Sequence, residues 1–167
     1  VGRDGELAQL RQWFERAAKG GNPNAMYNFA CVLRKGEGGP ADLAAALSWF
    51  LKSANAGHVD AMTSSGDMLA QGEGGPVDTA RAMAWYRKAA DGGDPGAMYA
   101  LAELLRTGAG GAVDFAAARA WFVTAAEAGN TQAMIRLAKM LAAGEGGPLD
   151  LSIAASWLVK AGTAGLT

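Results

Sequence analysis

A single cysteine, Cys31, and a single histidine, His58, are all that this sequence offers among thiol and imidazole side chains. One cysteine makes neither an intrachain disulfide nor a multi-cysteine metal site, and one histidine excludes a histidine-based metal cluster. Both a reducing cytoplasm and an oxidising periplasm suit such a chain, so the compartment stays open. Charge of one sign is also lacking: 15 lysines and arginines stand against 16 acids, for a net charge of −1 and a pI of about 5.8. With no long basic run, nothing draws phosphate backbones or anionic membranes to the chain, and no nucleic-acid partner is expected. No uncharged apolar run reaches the roughly 18 residues of a membrane span, and residues 1–10 lack the basic-then-apolar order of a signal peptide. The chain as given is therefore expected to be soluble, without direct membrane insertion, and upstream sequence is left open. Five prolines and a shortage of valine and isoleucine argue against sheets.

What the sequence has instead is alanine, 24 glycines and a strict period. Its tryptophans fall at Trp13, Trp49, Trp85, Trp121 and Trp157, every gap being 36 residues. Eight positions after each stands a glycine: Gly21, Gly57, Gly93, Gly129 and Gly165. An Ala-Met pair recurs at Ala25-Met26, Ala61-Met62, Ala97-Met98 and Ala133-Met134, with Leu33, Leu69, Leu105 and Leu141 following. A glycine turn then repeats from Gly36 to Pro40, Gly72 to Pro76, Gly108 to Ala112 and Gly144 to Pro148, and Asp42, Asp78, Asp114 and Asp150 come after it.

Each of these aspartates stands where a helix N-cap belongs, its carboxylate able to accept orphan backbone N–H bonds at the positive end of a helix dipole. Residues 42–56 then place Ala46, Trp49, Phe50, Ser53 and Ala54 at spacings of three and four, which predicts an amphipathic helix, called B. Residues 24–34 place Met26, Phe29, Ala30 and Leu33 on another stripe behind Asn22-Pro23, a cap and a first-turn proline, which predicts helix A. Gly36, Gly72, Gly108 and Gly144 fall where a helix ends in a left-handed residue. Helices this short are marginal alone, so stability must come from stacked neighbours. The tryptophans, at core spacing in every unit, are expected to pack rather than to form a ligand cage.

One unit, from Ala25 through Phe29, Ala30, Leu33, Gly36, Gly38, Pro40, Asp42, Ala46, Trp49, Phe50, Ser53 and Ala54 to Gly57, resembles the Sel1-like repeat of the tetratricopeptide-like superfamily, and the match runs over nearly the whole chain. The family's usual helix A glycine survives as Gly66 and stands as Ala30, Ala102 and Ala138 elsewhere; its usual tyrosine is leucine. The resemblance implies an all-α, right-handed α/α solenoid: four 36-residue helix-turn-helix repeats (22–57, 58–93, 94–129 and 130–167) behind an N-terminal B-type capping helix in residues 1–21. It further implies a bacterial, non-enzymatic scaffold, needing no cofactor, whose A helices line a concave groove for a protein or peptide. An architectural segment orienting domains of a longer protein is the alternative.

The rival chemistries are thin. The glycine turns lack the Lys-Ser/Thr of a phosphate loop and recur at one inter-helix position, so they read as structural. His58 occupies the position of Asn22, Asp94 and Asn130, which suggests a cap. A Cys31–His58 nucleophile and base would need a third orienting group that the sequence does not supply. No Ser-x-x-Lys tetrad of serine acyl enzymes occurs.

Columns shared by all copies build the scaffold, so variable columns on helix A are where a partner is to be read. These are Tyr27, Cys31, Arg34 and Lys35 with Asn28; Thr63, Asp67 and Gln71; Tyr99, Glu103 and Arg106; and Ile135 and Lys139 with Arg136. They predict a surface with basic ends, acids at Asp67 and Glu103, and exposed tyrosines as anchors. At the N-terminal end, Gln9, Gln12, Glu15, Arg16 and Lys19 predict a polar, finished cap. The last helix carries Ile153, Ala155, Ser156, Val159 and Leu166 with nothing to cover them, which predicts either a continuing array or self-association there.

Overall fold

A computed structural model describes residues 3–164, and Val1, Gly2, Gly165, Leu166 and Thr167, including the fifth periodic glycine and one residue of the expected apolar end, lie outside them. The described residues form nine helices: α1 (Arg3–Lys19), α2 (Pro23–Lys35), α3 (Leu43–Asn55), α4 (Val59–Gln71), α5 (Thr79–Asp91), α6 (Pro95–Thr107), α7 (Phe115–Glu127), α8 (Thr131–Ala143) and α9 (Leu151–Ala164). The even-numbered helices are the A helices of the sequence pattern and the odd-numbered ones the B helices. The chain divides into two compact units, residues 1–85 and 86–167, within each of which neighbouring helices pair.

The helix ends are written in the sequence. Asp42, Asp78, Asp114 and Asp150 accept from the backbone N–H of Ala45, Arg81, Ala117 and Ile153 at 2.8–2.9 Å. Asn22, Asp94 and Asn130 do the same for Ala25, Ala97 and Ala133, and His58 Nδ1 accepts from the Ala61 N–H at 3.3 Å. The A helices stop at Gly36, Gly72, Gly108 and Gly144, all left-handed with φ of 71–73°. Behind each turn the capping aspartate's own N–H returns to the last helix A leucine: Asp42 to Leu33, Asp78 to Leu69, Asp114 to Leu105 and Asp150 to Leu141, at 2.8–3.0 Å. One carboxylate per repeat thus starts helix B while its backbone closes helix A.

In the first unit the core gathers Ala18, Phe29, Ala30, Leu33, Ala46, Phe50, Ala54, Ala61 and Met68. Alanine at the crossings lets backbones approach closely, and Phe50 fills the space between, 1% exposed. Burying such a ring contributes about 2–3 kcal/mol. Ser53, wholly buried, donates to the Pro23 carbonyl at 2.8 Å and ties α3 to the start of α2. In the second unit Phe122 takes the place of Phe50 among Leu101, Ala102, Ala125, Ala126, Leu137, Ala138 and Met140, all buried.

The middle glycine of the turn does more than the sequence suggests. Gly74 has φ +80°, and a Cβ there would run into the Leu43 carbonyl at the start of α3; at Gly38 and Gly146 it would meet the carbonyls of Leu7 and Phe115. Each of these three turns rests directly on the backbone of the preceding B helix, so it couples one repeat to the previous one.

The periodic tryptophans differ from expectation. Trp49, Trp85, Trp121 and Trp157 are only half-buried, and the next residue, Phe50, Tyr86 or Phe122, is the buried ring. A turn of about 100° per residue places one neighbour at the centre of the stripe and the other at its margin. The margin indoles still pack: Trp49 meets Phe29 edge-on at 5.5 Å, and Lys52 Nζ lies 4.1 Å over its ring. Trp13 is 71% exposed, and Leu10 is exposed beside it. The outward face of α1 is therefore not wholly polar, although Gln9, Gln12, Arg16 and Lys19 are exposed as expected. On α9, Ile153, Ala155, Ser156 and Val159 are exposed, joined by Leu151 and Leu158 and by Leu149 just before the helix.

Candidate functional site

In the first unit, α2 and α4 carry Tyr27, Asn28, Cys31, Arg34 and Lys35, with Thr63, Asp67 and Gln71. Asn28, Lys35 and Gln71 are exposed; the others are half-buried. The expected free tyrosine anchor is not there. Tyr27 stacks on the His58 ring at 4.7 Å with 10° between planes and meets Phe50 edge-on at 5.6 Å. Its β-carbon sits one residue off the core stripe, close enough for the large ring to fold back onto it. Burial, followed by the neighbouring Cys31 thiol, pushes the Tyr27 hydroxyl above its ordinary value, and burial likewise raises Cys31. His58 thus caps α4 through Nδ1 and carries the Tyr27 ring on its face.

Arg34 is not a free basic end either. Its Nε and Nη2 donate to Glu73 Oε2 and Oε1 at 2.8 and 3.1 Å, a two-pronged ion pair reaching from α2 to the turn after α4. The hydrogen bond to Glu73 is the main cause that raises the guanidinium further above its already high value. Both side chains are about one-third exposed, so this fork contributes about 1 kcal/mol. Sequence reading assigned Glu73 to the scaffold turn and missed it. The signal was the glutamate that recurs at Glu37, Glu73 and Glu145 in the second turn position.

In the second unit α6 and α8 carry Tyr99, Glu103 and Arg106, with Ile135, Arg136 and Lys139. Tyr99 is half-buried with its ring centroid 5.7 Å from Phe122, so it too is committed to packing. Its hydroxyl, followed by the Glu103 carboxylate, is the main cause that raises the Arg136 guanidinium above its ordinary value. Glu103 lies between two arginines: Arg106 Nη2 donates to its Oε2 at 2.9 Å, and Arg136 Nε lies 3.0 Å from its Oε1 in an ion pair whose angle falls short of a hydrogen bond. The Glu103 acid expected in the middle of this surface is therefore neutralised locally. Beside this triad is a cavity of about 250 Å³ lined by Arg106, Arg136, Lys139, Met140, Ala143 and Glu145. A larger hollow in the first unit, about 500 Å³, is lined by Leu7, Gly36, Glu37, Gly38 and Gly39.

Among the described residues no group of three or more histidine, cysteine or acidic side chains converges as a metal site, and no helix is long and apolar enough to cross a membrane. Short helix hairpins repeated every 36 residues, bound by caps at equivalent positions, define an all-α, helix-turn-helix repeat protein. The Sel1 repeat profile matches residues 11–22, 23–58, 59–94, 95–130 and 131–166, and the chain belongs to the Sel1 repeat family. Sel1 repeats are protein-interaction modules.

Two solved structures share the fold over 95% of this chain at 28% identity. One is a protective antigen of uropathogenic Escherichia coli displaying an SLR fold, with a TM-score of 0.92, and the other is a Sel1 repeat protein from Oxalobacter formigenes, at 0.87. The chain spans 34% and 63% of their respective lengths. The cysteine-rich protein B of Helicobacter pylori, 16% identical with a TM-score of 0.57 over 75% of this chain and 90% of its own, shares the fold alone. Comparison with curated proteins gave no match.

Proposed function

We propose that this chain is a non-enzymatic binding scaffold whose A-helix faces, α2 with α4 in one unit and α6 with α8 in the other, take a protein or peptide segment of mixed charge. The observation that carries the reading is the division of labour between columns. Most residues that recur are caps, turn glycines or core, whereas Asn28, Lys35, Gln71 and Lys139 are exposed and differ from copy to copy. Polar groups that neither cap nor pack, placed along one helix face, are what a specific partner can discriminate. The pre-formed ion pairs supply fixed carboxylate and guanidinium positions beside them, which favours selective polar recognition over a general charge attraction.

Selection of displayed random peptides on the whole chain, followed by calorimetry, tests this reading. Lys139→Glu and Lys35→Glu should each weaken the selected peptides by about tenfold, the range of one charge-assisted hydrogen bond. Arg87→Glu, the same charge change on exposed α5, should leave them unchanged. Equal effects of all three variants would contradict the A-face assignment. Arg34→Glu is a poor probe, because it would set two carboxylates against each other at Glu73 and report stability.

A further inference from the structure

Comparing the two units position by position shows a carboxylate-binding fork that is filled in one and open in the other. Arg106 stands in the same column as Arg34, two repeats on, and Glu145 stands in the column of Glu73. In the first unit Arg34 Nε and Nη2 grip both oxygens of Glu73. In the second, Arg106 Nη2 turns to Glu103, and Arg106 Nε, the counterpart of the donor that meets Glu73, is enclosed with no acceptor. Among the described residues the Glu145 carboxylate makes no hydrogen bond or ion pair, although its backbone N–H donates to the Met140 carbonyl, and Glu145 lies on the wall of the 250 Å³ cavity with Arg106, Arg136 and Lys139 around it. Lys139 is exposed and likewise unpaired among the described residues. A buried donor without an acceptor is costly, and the arginine that carries it also lines a hollow rimmed by two further cations, a setting that favours an anion.

We propose that the cavity between α6 and α8 binds a single carboxylate of a partner peptide, gripped by Arg106 with Arg136 and Lys139, and that Glu145 is its internal competitor. This rests on the α6–α8 face being partner-facing. A carboxylate fits the charge better than a phosphate: three cations face the two carboxylates Glu103 and Glu145, leaving one net positive charge, which a monoanion balances and a dianion would leave overcompensated by one negative charge. Met140 and Ala143 supply an apolar floor for the methylenes that carry the group. The fork already closed by Glu73 in the first unit shows that this column is shaped for carboxylate geometry.

The carboxylate has two sources, an acidic side chain or a chain terminus, and one titration separates them. The whole 15N-labelled chain is titrated with acetyl-Ala-Glu-Ala-amide, with acetyl-Ala-Ala-Ala bearing a free C-terminus, with its amide, and with the phosphoserine analogue of the first, while the arginine Nε–H signals are followed. The expected result is saturable shifts at Arg106 and Arg136 with one or both carboxylate probes and none with the neutral amide. Glu145→Gln should tighten that binding severalfold, Arg136→Gln should weaken it by about tenfold, and Glu73→Gln should create a matching response at Arg34. Silence of Arg106 and Arg136 toward both carboxylates, tighter binding of phosphoserine, or no gain in Glu145→Gln overturns the proposal. Selected peptides that bind wild type and Arg136→Gln equally would leave the interaction face standing and overturn this pocket alone.

Discussion

Three glycines of the first unit separate conformational strain from steric contact. A methyl group at Gly75 would meet nothing within 4 Å beyond its chain neighbours, and φ there is not left-handed; Gly57 has the same open space at φ +94°, and Gly74 combines φ +80° with a position where a Cβ would run into the Leu43 carbonyl. Alanine at Gly75 should be neutral or stabilising by up to about 1 kcal/mol, since it only reduces the freedom of the unfolded chain. At Gly57 the left-handed cost of about 1–2 kcal/mol is partly offset by that same gain, leaving a net loss of about 1 kcal/mol. At Gly74 the turn must also move off the α3 backbone, breaking the seat between repeats, and the loss should exceed about 2–3 kcal/mol. Urea unfolding followed by circular dichroism should rank the midpoints Gly75→Ala, wild type, Gly57→Ala, Gly74→Ala from highest to lowest. A Gly74→Ala midpoint equal to that of Gly57→Ala would refute the turn-on-helix contact and leave only the strain.

Phe122→Ala should cost about 3–5 kcal/mol in the same assay, whereas Trp13→Ala, at a far more exposed ring, should cost under about 1 kcal/mol. His58→Ala should lose about 1 kcal/mol of capping, and His58→Asn should retain the cap, because Asn22 and Asn130 perform it in the equivalent places. Burial raises the Cys31 thiol, so less thiolate is present in the folded chain at neutral pH. A disulfide reagent at pH 8 should therefore label Cys31 about tenfold more slowly in the native than in the urea-unfolded chain, and equal rates would contradict its placement.

Capping and turn chemistry were legible because they are local: an aspartate, asparagine or left-handed glycine announces its role within four residues. The helix pairing followed from period and stripe. The stripe's centre was less legible, since adjacent aromatics such as Trp49-Phe50 differ by a single position and only the packed geometry shows that Phe50 is central and Trp49 marginal. On the candidate faces, the sequence indicated which columns vary but not which charges were spent internally. Arg34 and Glu73 lie 39 residues apart, and their pairing depends on where a turn comes to rest. The same limit hid the fate of Tyr27, whose partner His58 sits in the next repeat.

The most direct test of the central claim is hydrogen exchange of the whole chain with and without a selected peptide, read by mass spectrometry. Binding on the A-helix faces predicts added protection in α2, α4, α6 or α8 and none beyond background in α3 and α7. Protection concentrated in α3 and α7, with the A helices unchanged, would contradict the account.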